Sequence, residues 1–225
     1  MSIKYTTTYE QGALVPAVSC QVKSLGELIE YLEESFTSLG IQKKRVKIPY
    51  ELVSDQALNI LQDHGYFPVY YHYSLNISDY VGEPDPDIKF DDNLDILSFA
   101  DIVRPLMHEC AERMPCEFDE KGEDPSWFFL GKQMFYIPDT ITQEIAGCRF
   151  VEKVAPDTMK MWMAYVSPQH RRKGIYTRLL DHIKWYAKAQ GVTYLSVATD
   201  VTKHNPMHGI LESHGFSVST ATYRN

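Results

Sequence analysis

Between Val166 and Thr177 the chain reads Val-Ser-Pro-Gln-His-Arg-Arg-Lys-Gly-Ile-Tyr-Thr, with an apolar strand-like run before it and an amphipathic helical run after it. A strand that turns into a helix leaves the first helical N–H groups without partners in the helix. They point at one spot, together with the positive end of the helix dipole. Arg171, Arg172 and Lys173 add full charges there, so the stretch reads as a receptor for an anion with several oxygens, a pyrophosphate in particular. The pattern Gly-x-x-x-x-Gly-Lys-Ser/Thr is absent, which disfavours nucleotide hydrolysis.

The elements that must position this turn follow from hydrophobic spacing and punctuation. The reading gives helix 25–39, strand 44–50, helix 54–64 and strand 67–75. Residues 77–95 are crowded with Asp, Pro and Gly and read as a linker or surface crossover. A helix at 97–114, an acidic loop from Glu117 to Asp124, and strands at 133–138, 145–153 and 158–166 lead to the turn. After it come helix 175–190, strand 193–199, helix 206–214 and strand 216–223. The fold class is α/β, a mixed sheet with helices on both faces.

A repeat organises this order. Ile60-Leu61-Gln62-Asp63-His64-Gly65-Tyr66 matches Ile210-Leu211-Glu212-Ser213-His214-Gly215-Phe216, and upstream Leu28-Ile29-Glu30-Tyr31-Leu32 matches Leu179-Leu180-Asp181-His182-Ile183. Both copies read helix, strand, helix, strand. Chance recurrence in an α/β chain is the competing reading. Where the second copy has Arg171-Arg172-Lys173-Gly174 the first has Cys20-Gln21-Val22-Lys23, so the first lacks a phosphate loop. It is expected also to lack the strands that would precede one. The division is 1–76 as a degenerate half-copy, 77–95 as an acidic Pro/Gly linker, and 96–225 as the working domain.

Composition sets the outer limits: 225 residues, 44% hydrophobic, 23% charged, with a formal net charge of -8. An acidic chain repels a polyanion, so nucleic acid is disfavoured as a partner. No leader-like or membrane-length apolar run occurs, and Cys20, Cys110, Cys116 and Cys148 do not form a disulfide framework; the expected location is cytoplasmic, with no membrane contact. His108 and Cys110 stand two apart on a helix and diverge, so no metal site is expected.

Four features, in order, resemble the GCN5-related N-acetyltransferase superfamily over residues 88–225. Ile145-Ala146-Gly147 resembles its third strand and the run from Met159 to Val166 its fourth. Val166-x-Pro168-x-x-Arg171-x-x-Gly174 resembles its acyl-CoA loop, and Asn205 followed by Gly215-Phe216 its closing helix and turn. The resemblance implies a splayed sheet with acyl-CoA, acetyl-CoA by default, in a V between the fourth and fifth strands. It implies coenzyme contacts from Tyr165, Val166, Arg171, Arg172, Lys173, Gly174, Ile175, Tyr176, Thr177 and Asn205. The first copy then resembles half of such a domain.

The implied reaction is direct N-acyl transfer, acetyl by default, in a ternary complex with a primary amine of a small cationic molecule or protein. A backbone N–H near Tyr165 or Val166 would receive the oxyanion. Deprotonating an alkylamine at pH 7 costs about 4.6 kcal/mol, so a base or water relay is expected. Candidates are His108, Glu109, Asp200 and His204, while Tyr165, Ser213 or water would protonate the thiolate. Two departures stand out: Tyr176 occupies a usual Gly or Ala position and must swing outward for phosphate to approach, and Leu211 stands where a tyrosine acid is usual. They motivate a second reading, a non-catalytic coenzyme-binding or interaction module. The acidic loop 117–124 would concentrate a cationic acceptor. Relatives are often homodimers, though no exposed apolar stripe in this sequence argues for one.

Overall fold

The computed structural model describes residues 2–10, 13–33, 43–91, 132–142, 144–201 and 205–224. Their element order is β1 (Ser2–Glu10), β2 (Ala13–Gln21), α1 (Leu25–Glu33), β3 (Lys43–Pro49), α2 (Asp55–Asp63), β4 (Phe67–Asn76), β5 (Lys89–Asp91), β6 (Gln133–Pro138), β7 (Ile145–Ala155), β8 (Thr158–Val166), α3 (Ile175–Ala189), β9 (Tyr194–Asp200), α4 (Met207–Ser213) and β10 (Ser217–Arg224). The expected helix at 97–114 and the acidic loop lie outside the described residues. Two compact units result: described residues up to 73 and from 198 form one, and 74–91 with 132–197 form the other.

The first unit carries the strand order β1-β2-β3-β10-β4. Here the expectation that the first copy has no strands before its loop is overturned, because β1 and β2 form an antiparallel pair from Ser2↔Gln21 to Glu10↔Ala13. The signal was the Thr and Tyr content of residues 5–9, and Pro16 argued against it. Pro16 stands opposite Thr7 in the β1–β2 ladder and lies just before the parallel register of β2 with β3, which begins at Ala17↔Lys43. The last strand of the second copy, β10, pairs antiparallel with β3 of the first.

A single core binds this unit. Leu28 and Tyr31 share one face of α1, Ala57 and Leu61 one face of α2, and both meet Val46, Ile48, Ala221 and Tyr223 of the sheet. Burial pushes the Tyr66 phenol up to about 12 in this core. The repeated heptapeptide proves to be one C-terminal cap made twice. His64 Nδ1 meets Ile60 O at 2.8 Å and His214 Nδ1 meets Ile210 O at 2.8 Å. Gly65 and Gly215 both take positive φ, and the next amides, Tyr66 and Phe216, reach back to Leu61 O and Leu211 O.

The second unit carries β9-β8-β7-β6-β5, antiparallel except for the parallel pair β8–β9. α3 buries Ile175, Leu179, Leu180, Ile183 and Ala187, one face of a 3.6-residue period. Within 77–91, β5 pairs with β6, and the preceding segment is a crossover tied to α3. Tyr80 donates to Asp181 O, and Asp85 accepts two bonds from Arg178 at 2.7 and 2.9 Å. No described helix is long and apolar enough to cross a membrane.

β8 does not run straight. Arg149 faces Ala164 and Val151 faces Met161, leaving Phe150 opposite both Trp162 and Met163: a one-residue bulge. Pairing with β9 ends at the same level, at Met161↔Val197, although β8 continues to Val166. The mixed sheet is therefore splayed next to the residues that run into the anion turn.

Candidate acyl-donor site

The turn after β8 is built from backbone first. Pro168–His170 form one 3-10 turn, and Arg171 returns to extended geometry. Arg172 then takes φ 62° and Gly174 φ 76°, with Lys173 between them outside the left-handed region. Alternation of this kind makes concave clusters of N–H groups that receive anions. For Arg172 the left-handed conformation costs about 1–3 kcal/mol, which the surrounding structure must sustain. Gly174 is the N-cap of α3, and no side chain caps the helix. Arg171, Arg172 and Lys173 are exposed, and among the described residues none forms an ion pair with a carboxylate.

Three contacts hold the turn. Arg171 Nε donates to Val166 O at 3.2 Å. Behind the helix start lies Gly147, where a Cβ would stand 2.5 Å from Ile175 Cγ2 and 3.1 Å from Tyr165 O; only a glycine lets α3 come this close to the sheet. The third contact is a chain of side chains: Ser167 Oγ meets His170 Nδ1 at 2.6 Å, and His170 Nε2 meets Asp139 Oδ2 at 2.7 Å. Asp139 Oδ1 accepts the amides of Ile141 and Thr142, both at 2.8 Å. The backbone N–H groups of Thr142 and Ile141, and then His170, draw the Asp139 carboxyl down to about 2. An ionised Asp139 accepts from His170 Nε2, and the other ring nitrogen is held by Ser167 Oγ.

Tyr176 is not where the sequence placed it. Its ring does not swing outward; it is half-buried, and its hydroxyl accepts from Arg149 Nη1 at 3.2 Å. The reason is the charge on β7: Arg149 is 3% exposed, lies across from Ala164, and draws the phenol oxygen inward.

The expected site residues distribute as follows. Tyr165, Val166, Arg171, Arg172, Lys173, Gly174, Ile175, Tyr176 and Thr177 all lie in the second unit, at the end of β8 and the start of α3. Tyr165 is half-buried on the sheet face opposite Arg149, beside Cys148, Phe150 and Trp162. Asp200 and Asn205 lie in the first unit, where Asn205 Nδ2 donates to Thr199 Oγ1 at 2.7 Å and Asp200 Oδ2 at 2.8 Å. Asn205 Oδ1 accepts from Met207 N, so this side chain starts α4. His108, Glu109 and His204 lie outside the described residues. Leu211 is fully buried in the first unit.

The sequence reading assigned nothing to Asp139, Arg149 or His170. Asp139-Thr140-Ile141-Thr142 is a side-chain turn motif, and that was the one available signal. Arg149 gave none, because a charge inside an apolar strand run looks like the solvent face.

A bulged, mixed sheet whose broken strand feeds an uncapped, cation-flanked helix is the architecture of this unit. The chain belongs to the acetyltransferase (GNAT) family, whose model matches residues 101–216. No curated protein matches the chain. Solved structures share the fold at low identity. A Drosophila protein is 14% identical with TM-score 0.58 over 93% of this chain and 70% of its own. A GCN5-related N-acetyltransferase from Sphaerobacter thermophilus is 16% identical with TM-score 0.53, over 81% and 60%. A tandem GNAT protein from the clavulanic acid biosynthesis pathway is 15% identical with TM-score 0.52, over 84% and 65%. The chain spans less than two thirds of the last two.

Proposed function

We propose that the protein is an acyl-CoA-dependent N-acyltransferase that moves acetyl from acetyl-CoA to a primary amine of a small cationic molecule or protein in the cytoplasm. The observation that carries this reading is the turn at 171–175. Two left-handed residues, an uncapped fifteen-residue helix and three cations without carboxylate partners among the described residues meet there. A diphosphate fits such a set, since each N–H or cation bond to it is charge-assisted and worth about 1.5–3 kcal/mol.

Arg171, Arg172, Lys173, Gly174 and the first-turn residues Ile175, Tyr176 and Thr177 would hold the diphosphate. The Tyr165 and Val166 backbone, past the bulge, would run beside the thioester arm and donate to its carbonyl oxygen. The amine nitrogen attacks the thioester carbon, a C–N bond forms, the C–S bond breaks, and the thiolate takes up a proton. Glu109, Asp200 and His204 are the candidates for accepting the amine proton, and Tyr165 for protonating sulfur. Asn205 remains a candidate pantetheine contact through the free lone pair of its carbonyl. The N-terminal copy, residues 1–76, is proposed to carry no donor site, and 96–225 the catalytic function. The presence of a tandem GNAT protein among the structural neighbours supports a duplicated origin.

Calorimetry with acetyl-CoA tests the reading. Arg171→Ala combined with Gly174→Asp is expected to weaken binding at least tenfold, roughly 1.4 kcal/mol. Unchanged affinity would move the site elsewhere. Thiol release across a panel of amines then tests turnover, with Glu109→Gln, Asp200→Asn and His204→Gln identifying the base.

A further inference from the structure

The proposed diphosphate turn uses exposed cations, yet the charge most in need of an anion is buried. Arg149 is 3% exposed, and among the described residues its Nε has no hydrogen-bond partner. Among the described residues its one side-chain bond is to the Tyr176 hydroxyl, with the guanidinium 5.6 Å from that ring's centre. Among the described residues no carboxylate pairs with it. The rest of the recess is apolar, with Met161, Ala164, Leu179 and Ile183 in its wall. A guanidinium in such surroundings is costly unless its charge is paired in a functional state. It is also planar and forked, the shape that takes two oxygens of one anion at once.

We propose that Arg149 is a second, buried receptor for an oxyanion of the acyl donor, reached when that oxyanion displaces the Tyr176 hydroxyl. Two positions support this. Tyr176 is the second residue of α3, directly after the uncapped N-terminus, so its hydroxyl links Arg149 to the diphosphate turn. Arg149 also lies across from Ala164, next to the β8 residues proposed to run along the thioester. The oxyanion is a phosphate of the coenzyme or a carboxylate at the far end of a dicarboxylic acyl chain. The chemistry is shared, and the inference rests on the acyltransferase reading above.

Calorimetric titration of CoA, acetyl-CoA and succinyl-CoA into wild type, Arg149→Met and Arg149→Lys, with thermal melts of each free protein, tests it. In Arg149→Met, donor binding should weaken at least tenfold while the Tm of the free protein stays level or rises, because an unpaired charge has been replaced by a hydrophobe. A loss shared by all three ligands identifies a phosphate. A loss confined to succinyl-CoA identifies an acyl carboxylate. Arg149→Lys, which keeps the charge and loses the fork, should fall between the two. Should Arg149→Met fail to fold, Arg149→Lys carries the test, with donor binding weakened because the forked pair of bonds is lost while the free protein keeps its Tm. Wild-type affinities in the Arg149 variants, or a lowered Tm with unchanged affinity, overturn the proposal and assign Arg149 to packing. Wild type that binds none of the three ligands removes the acyltransferase reading along with it.

Discussion

The chain passes from strand to helix at matching points of its repeat and finishes the two junctions in opposite ways. After β2, Ser24 Oγ accepts from Glu27 N at 3.2 Å, and Glu27 Oε2 accepts from Lys23 N at 2.8 Å; the helix start is closed by the protein's own hydroxyl and carboxylate. After β8 the N-cap is a glycine without a side chain, the N3 residue is Thr177, and cations take the place of the carboxylate. One junction satisfies its donors with its own side chains, and the other leaves its helix start without a side-chain cap. The shared element order therefore says little about function, and the four or five residues at each turn say most of it.

That contrast can be broken from behind. Gly147→Val pushes a side chain into Ile175 at the first turn of α3, 2.5 Å away already for a bare Cβ. Overpacking of this kind costs about 1–3 kcal/mol. Tm is expected to fall by several degrees and acetyl-CoA binding to fall with it, while the first junction keeps its cap. A stable variant with full affinity would show that the close approach of helix and sheet is not what shapes the turn.

Transplanting the closed junction into the open one sharpens the comparison. Gly174→Ser with Thr177→Glu recreates the spacing of Ser24 and Glu27 at the N-cap and N3 of α3. A carboxylate at the helix start competes for the same N–H groups, so acetyl-CoA affinity should drop at least tenfold, roughly 1.4 kcal/mol. The reverse pair, Ser24→Gly with Glu27→Thr, should lower stability slightly and create no binding. Equal affinity in the first double variant would mean that the anion sits away from these amides.

Much of this was legible in the sequence, for identifiable reasons. α3 and its end came from apolar spacing and Gly191, and the repeated cap came from seven residues whose geometry is local. β1 and β2 were missed because the comparison with the second copy left no strands before the first copy's loop position, and their pairing depends on partner strands rather than on local spacing. Tyr176 was misplaced because its orientation is set by Arg149, twenty-seven residues away and on another element. The Ser167–His170–Asp139 chain was invisible for the same reason: His170 lay inside the motif, but the carboxylate that gives it meaning arrives from the far end of β6.

That carboxylate gives the open junction a pH signature of intermediate size. With its folded-state value lowered to about 2, Asp139 contributes stability that is complete above its unfolded value, about 3.9, and lost as pH falls through about 2. Asp139→Asn should therefore be less stable than wild type at neutral pH, with the gap narrowing between about pH 4 and pH 2. Thermal melts across that window measure the difference. A gap that does not change with pH would mean that the carboxylate is not held by the amides of Ile141 and Thr142.

The smallest effect belongs to the feature the two copies share. His64 and His214 make the same 2.8 Å contact to a carbonyl one turn back, at helix ends of matching geometry. Each is a local bond at the surface, so His64→Ala and His214→Ala should each cost about 0.5–1 kcal/mol and differ from one another by less than that. The two sites lie far apart in sequence and share no partner, so the double variant should be additive. Acetyl-CoA affinity should be unchanged in both, because the caps close helix ends rather than hold ligand. If His214→Ala weakened binding and His64→Ala did not, the second copy's cap would have a part in the site that its twin lacks, and the division between a shared frame and a single open turn would have to move.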